Sequence, residues 1–314
     1  EAATIAMAWG RPQPVKVVWT REDDMAGGYY RPMYVHKVKL GFDGEGGLKA
    51  WHHRIVGQSI IAGTPFEPYL VKHGIDHTSV EGVEGTSYGI ENFQVELNTT
   101  KTGVPVLWWR SVGHTHTAYV METLMDVAAR EAGQDPLEFR RAMIKDNPRL
   151  LAVLNLAVEK AQWGRPLPEG RYRGIAVHKS FNSYVAQVAE ISMPDGEVKV
   201  EKVWCAVDCG VAVNPNNVAA QMEGGIGYGL GAVLRNEVTL EDGMVQEVNF
   251  DSYNPLRMED MPEIEVHIMP SSEAPTGAGE PGTPPIGPAV ANAVFAATGD
   301  VPTILPFART GLSS

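Results

Sequence analysis

Cysteine is nearly missing. The 314 residues hold two, Cys205 and Cys209. A single Cys-x-x-x-Cys pair does not complete a zinc or iron–sulfur site. On a strand, the two Cα atoms would stand about 13 Å apart, too far for a disulfide unless the chain turns between them. Both read as buried apolar residues. No apolar run is long enough to cross a bilayer, and no segment has the make-up of a signal peptide. Positive charge is also scarce. Lys and Arg number 26 against 38 Asp and Glu, a net −12. That excludes the basic face a nucleic-acid surface needs. There is no Walker sequence and no Gly-x-Ser-x-Gly elbow, and His178-Lys-Ser180 has no evident triad partners.

What is present reads as globular. Hydrophobic content is 44% and charged content 20%. The length suits one large domain or two ordinary ones. The first nine residues, Glu1 to Trp9, lack an initiator Met and read as the middle of a helix. Gly10-Arg-Pro12 stops it. Such a start leads us to expect a fragment or a processed piece, with the compartment left open between periplasm and cytoplasm.

Periodicity and punctuation give the rest. A short strand is expected at Val15–Thr20. A hairpin follows, Tyr34–Phe42 with Leu48–Gln58, turning at Asp43–Gly47. Residues 59–92 read as irregular, and Phe93–Asn98 as a strand. Helices are expected over 117–132, from Leu137 to Lys145 behind the Asp135-Pro136 cap, and over 148–161. Residues 164–171 have linker composition and divide the chain into lobes 1–163 and 172–314. The second lobe carries strands at 172–178, 185–192, 198–208 and 264–269. A helix, Asn217–Leu234, starts at Asn214-Pro215, and a hairpin over 237–248 turns at Asp242-Gly243. The fold class is α+β.

Three stretches could carry chemistry. Glu280 sits in Gly277-Ala-Gly-Glu-Pro-Gly-Thr-Pro-Pro285, ahead of an alanine-rich segment. Glycine allows close approach and proline stiffens, so the acid is either a held catalytic group or a solvated turn residue. Arg110-Ser-Val-Gly113 runs into a helix. That places amides and a guanidinium where an anion or oxo group could bind, unless Arg110 pairs with a core acid such as Glu122. The helix after Asn214 carries Gly224, Gly225, Gly227, Gly229 and Gly231. Each interior glycine costs about 1 kcal/mol against alanine, which implies close packing on backbone or a ligand. His114-x-His116 could present two rings to a metal on a strand, but no third ligand stands out and the position reads as a helix start.

Four segments then coincide in order: Arg110-Ser-Val-Gly, Cys205-Ala-Val-Asp-Cys-Gly with Val213-Asn-Pro215, Gln221-Met-Glu-Gly-Gly225, and the Gly277–Pro285 loop. Together they resemble the molybdopterin-binding large subunit of the xanthine dehydrogenase family. The nearest branch is that of the isoquinoline 1-oxidoreductase beta subunit and related aldehyde dehydrogenases. Trp19-Thr-Arg-Glu-Asp-Asp-Met25, Tyr30-Arg-Pro32 and Ser180-Phe with Tyr184–Glu190 extend the match over essentially the whole chain.

The resemblance implies oxidative hydroxylation of an N-heterocycle or aldehyde, with water as oxygen source. Glu280 would be the general base beside molybdenum, in keeping with an acid tuned by a dry, charged pocket. Arg110 would act with it. Gln221, Gly224, Gly225, Gly113 and Gly279 would hold the cofactor, molybdenum-molybdopterin in its cytosine dinucleotide form. Arg31 and Val112 would face the substrate, and no side chain would ligate the metal. Two further cofactor loops of the family, Met-Gly-Gln-Gly and Gly-Gly-Gly-Phe-Gly, are not in this chain. The implied partners are therefore the N-terminal half of the large subunit and a small [2Fe-2S] subunit. The other reading is a non-catalytic scaffold that holds no cofactor by itself.

Overall fold

A computed structural model describes residues 1–144 and 146–312. The chain opens with α1 (Ala2–Trp9), closed by Gly10 at φ 65° and without a buried residue. Val15–Thr20 forms no strand. Its β-branched residues have no neighbouring strand to pair with, and such residues favour a strand only against a partner. Thr20 instead caps α2 (Arg21–Gly27), exchanging hydrogen bonds with Asp23.

The first sheet contains β1 (Tyr34–Phe42), β2 (Leu48–Gln58) and β3 (Asn92–Thr100), in that order. β1 and β2 are the expected hairpin, and β3 joins β2 in parallel. Asp43 ties the turn by accepting the amides of Glu45 at 3.0 Å and Gly47 at 2.7 Å. Residues 59–92 are mostly irregular, with single turns of helix and two-residue strands. They pass over the region where the site forms.

Three helices follow: α3 (His114–Glu131), α4 (Pro136–Met143) and α5 (Pro148–Lys160). Asp135 caps α4 through the amides of Leu137 and Glu138. Lys145, the expected end of that helix, lies outside the described residues. The second sheet runs β7-β6-β5-β4, from β4 (Arg171–Ser180), β5 (Ser183–Ser192), β6 (Lys199–Asp208) and β7 (Glu263–Ile268). β7 is parallel to β6 and the other pairs are antiparallel. The 237–248 hairpin narrows to two-residue strands about Asp242-Gly243.

The second sheet is covered on both faces, so its strands are apolar nearly throughout. Ile175, Val177, Ala186 and Val188 pack with α5. Ala176, Val185, Val203 and Cys205 pack with α6 (Pro215–Leu234) and α7 (Ile286–Thr298). Both cysteines are free and buried, and burial pushes the Cys205 thiol up to about 12.

A buried charge cluster ties the helices to this sheet. Arg140 reaches Glu122 at 2.9 Å and Asp126 at 2.5 Å, with no exposed surface of its own. Glu122 also accepts Tyr88 Oη at 2.5 Å and the Val177 amide at 3.1 Å. Asn292 of α7 donates to the Glu122 and Ile175 carbonyls. The core partner of Glu122 is thus Arg140, which leaves Arg110 for other work.

Candidate active site

Three segments converge: the turn before α3, one face of α6, and the loop before α7. The turn is strained. Ser111 has φ 69° and Val112 φ 49°, the left-handed region that a β-branched residue rarely enters. That geometry aims Ser111 at the distant loop. Its amide donates to Glu280 Oε1 at 2.8 Å and its hydroxyl to the Glu280 carbonyl at 2.7 Å. Gly113 is required by space, since a Cβ there would stand 1.9 Å from the Thr78 carbonyl oxygen.

The Glu280 loop is held from the sheet side. Thr276 donates its amide to Cys209 O at 2.9 Å, Ser183 Oγ donates to Gly277 O at 2.6 Å, and Gln187 Nε2 to Gly282 O at 2.8 Å. The loop then closes on itself through Thr283 N to Glu280 O. On its other side lies α6. A Cβ at Gly225 would meet the Gly282 carbon and Thr283 nitrogen at 3.2 Å, and one at Gly229 would meet Ile286 Cγ2 at 2.5 Å. Gly225 and Gly229 therefore serve close packing of α6 on the loop and first turn of α7, and Gly227 and Gly231 make room for the Met261 and Asn236 side chains. Gly224 differs. It is exposed, and the atom nearest to an added Cβ is Arg110 Nη1 at 3.8 Å.

Arg110 joins the segments. Its Nε donates to Gly279 O at 2.9 Å, and its Nη2 donates to Gly279 O and, at 3.2 Å, to Gln221 Oε1. With Gln221 Oε1 engaged, the exposed Gln221 amide nitrogen is left as a donor. Arg31 sits alongside. It lies 4.3 Å over the Trp109 ring and donates to Thr115 Oγ1 at 3.1 Å. With Val112, Gly113, Trp109 and His116 it lines a narrow crevice. Hydrogen bonds and close packing thus bring Glu280, Arg110, Gln221, Gly224, Gly225 and Gly279 together, and Gly113 lines the neighbouring crevice with Arg31 and Val112.

Sequence reasoning missed two groups here. Glu81 lies in the irregular 59–92 stretch, where no periodicity marks it. It takes the Gly113 amide. Burial, with smaller contributions from Asp76 and Glu280, raises its carboxyl to about 7. The other group is a row of histidines. Trp51 Nε1 donates to His53 Nδ1 at 3.4 Å. His53 Nε2 lies 2.8 Å from His36 Nδ1, and His36 Nε2 lies 3.1 Å from His116 Nδ1. The Tyr34 ring stacks on His116 at 3.8 Å. Burial holds His53 down at about 4, His36 at about 3 and His116 well below its usual value, so all three are neutral.

His114 and His116 part company, because neighbours two apart on a helix point in different directions. His114 pairs with His178 at 2.9 Å. Among the described residues, no group of three His, Cys, Asp or Glu is placed to hold a metal ion. No described helix is long and apolar enough to cross a membrane.

Comparison with known proteins adds to this geometry. Two family profiles, both described as molybdopterin cofactor-binding domain, match residues 1–144 and 117–262. The chain is 32% identical to the beta subunit of isoquinoline 1-oxidoreductase from Brevundimonas diminuta, over 98% of this chain and 40% of that protein. It is 30% identical to a membrane-bound aldehyde dehydrogenase of Gluconacetobacter polyoxogenes, over 91% and 40%. It is 29% identical to a subunit of nicotinate dehydrogenase from Pseudomonas putida, over 91% and 26%. The chain thus spans about two fifths or less of these relatives. Quinoline 2-oxidoreductase from Pseudomonas putida 86 shares the fold, with a TM-score of 0.79 at 15% identity over 97% of this chain and 64% of that one. Aldehyde oxidoreductase from Desulfovibrio gigas does so at 0.77 and 15%, over 97% and 51%.

Proposed function

The chain belongs to the xanthine dehydrogenase family of molybdopterin-binding proteins, and from that premise we propose that it is the part of a molybdenum hydroxylase large subunit that carries the catalytic base. The residues present suit the cofactor. An anionic pterin group needs donors and room for backbone approach. Arg110, the outward Gln221 amide, and the open backbone at Gly224 and Gly279 offer both. Gly113 and Gly225 keep the turn and the loop close enough to form one cradle. When bound, molybdenum-molybdopterin supplies a two-electron oxidation that places a water-derived oxygen on an electron-poor carbon.

Glu280 is the base. Ser111 satisfies its Oε1 and leaves Oε2 to take a proton from the attacking oxygen. Arg110 fixes the loop by its carbonyl and sets positive charge beside the acid. Arg31 and Val112 face the substrate, an N-heterocycle or an aldehyde, as the names of the relatives suggest. We place the cleft where lobes 1–163 and 172–314 meet. The first gives the Arg110 turn, the second gives α6 and the Glu280 loop. The remaining cofactor loops come from the rest of the large subunit, the dinucleotide is the cytosine form, and the iron–sulfur clusters sit on a small partner subunit.

The observation that carries this reading is the Ser111–Glu280 clamp, which engages one carboxylate oxygen and, among the described residues, leaves the other unbonded. In the intact complex, Glu280→Gln should lower turnover at least about a thousandfold while molybdenum content stays at the wild-type level. Near-normal turnover of that variant would sink the assignment.

A further inference from the structure

The Ser111–Gly113 turn serves two acids. The Ser111 amide donates to Glu280 Oε1 at 2.8 Å. Two residues on, the Gly113 amide faces the Glu81 carboxylate. The segment that brings Glu81 there is tightly held. Asp76 accepts the Thr78 amide at 2.9 Å and the hydroxyls of Ser59, Thr78 and Ser79. The Thr78 carbonyl lies against Gly113, and the Glu81 carbonyl accepts the Thr117 hydroxyl of α3. Gly82 then turns the chain at φ 81°, where a Cβ would stand 2.7 to 2.9 Å from His178, Thr117 and His114. Only glycine allows so close an approach in that conformation. Glu81 is thus pinned on the first turn of α3.

Its carboxyl group is poorly compensated. Glu81 Oε2 is buried without a hydrogen-bond partner among the described residues. The charged groups that act on it are Asp76 and Glu280, both acids. His114 and His178, which crowd Gly82, are held neutral by burial. Tyr34 of β1 feels Glu81 as well, and burial pushes its hydroxyl up to about 12, so it too is neutral. A buried carboxyl in that company keeps its proton until about pH 7. Its negative charge therefore arrives near Glu280 within the ordinary working range of pH. A second negative charge makes a carboxylate hold a proton more tightly, which makes it a stronger base.

We propose that Glu81 is a second acid of the active site, a positioning residue whose charge, acting across the Ser111–Gly113 turn, sets the strength of Glu280 as a base. This rests on the reading of Glu280 as the base. Glu81 acts on the reaction through Glu280 and exchanges its own proton with solvent as pH changes. Ionised, it strengthens the hold of Glu280 on the proton taken from the attacking oxygen. Protonated, it leaves Glu280 to Ser111 and the charge of Arg110.

The test uses the complete holoenzyme and begins with an infrared titration of its carboxyl bands, which needs no turnover. The wild type should show a carboxyl that loses its proton near pH 7, and Glu81→Gln should lack that band. Coupling between two sites is mutual. Glu280→Gln should therefore keep the band and move its midpoint to lower pH. In turnover, kcat/KM of the wild type should rise about threefold or more between about pH 6 and about pH 8, and Glu81→Gln should flatten that rise. Glu81→Asp, still an acid, should restore a rise, whereas loss of a merely structural contact would lower turnover alike at every pH. The proposal is overturned if no carboxyl titrates near pH 7 in the wild type, if the band survives Glu81→Gln, or if that variant keeps the wild-type rise. Should Glu81→Gln fail to fold, the Glu280→Gln titration still decides, because an unmoved midpoint means that the two acids are not coupled. Near-normal turnover in Glu280→Gln removes the base reading itself. An inactive Glu280→Gln with an unmoved midpoint removes this proposal alone.

Discussion

The Ser111 amide reaches Glu280 Oε1 across 2.8 Å and 169 residues of sequence. The contact exists because two consecutive residues, Ser111 and Val112, accept left-handed backbone. It joins the start of α3 to the loop before α7, the two segments that carry the site's arginine and its acid.

That junction leans on Gly113. A methyl group there would collide with the Thr78 carbonyl, although the φ of −69° suits any residue. Gly113→Ala should cost about 1–3 kcal/mol of stability and displace the Ser111 turn. Urea unfolding of the intact protein and its turnover should fall together. A fully active variant of unchanged stability would show that the turn tolerates the shift.

Arg140 should be worth more than any surface ion pair. Arg140→Met leaves Glu122 and Asp126 buried without their cation, at a cost of about 3–5 kcal/mol. Replacing both acids as well, with Glu122→Leu and Asp126→Leu, should recover much of the loss. If the triple variant is as unstable as the single one, the uncompensated charge is not the cause.

Acid should destabilise this protein early. His36, His53, His114, His116 and His178 all have depressed values, with burial as the first cause. Their unfolded forms take protons near pH 6.5, so their contribution is complete above about 6.5 and lost as pH falls toward 4. Glu81 has the opposite sign. Its raised value means a contribution present below about 4.5 and lost as pH rises through about 7. Melting temperature should therefore drop between pH 6.5 and 4. Glu81→Gln should raise it at pH 8 by the equivalent of about 1–2 kcal/mol and change it little at pH 4.5, since part of the side chain reaches water. A flat profile over that range contradicts the histidine argument.

Much of this was legible in sequence because it is local. The hairpin about Asp43–Gly47, the Asp135 cap and the strands from Arg171 to Asp208 follow from alternation and turn chemistry. The Glu280 loop, Arg110 and the α6 glycines stood out as motifs, and the fold brings them together. Val15–Thr20 misled because strand preference needs a partner that local sequence does not supply. Glu81, the histidine row and the Trp109–Tyr228 stack were invisible for a related reason. Their members lie far apart in the chain, on separate strands, helices and loops that only the fold brings side by side.

The histidine row has a sense. An indole nitrogen can only donate, so Trp51 fixes His53 Nδ1 as an acceptor and places that ring's proton on Nε2. His36 must then receive at Nδ1 and give from Nε2, and His116 must receive at Nδ1, which leaves its proton on a buried Nε2 without a partner among the described residues. Every proton in the row points one way, from the core face of β2 toward the crevice beside Arg31. The handedness of His116 at that wall is thus decided three rings away, by the one member that cannot change its mind. Trp51→Phe would leave the row free to run backwards.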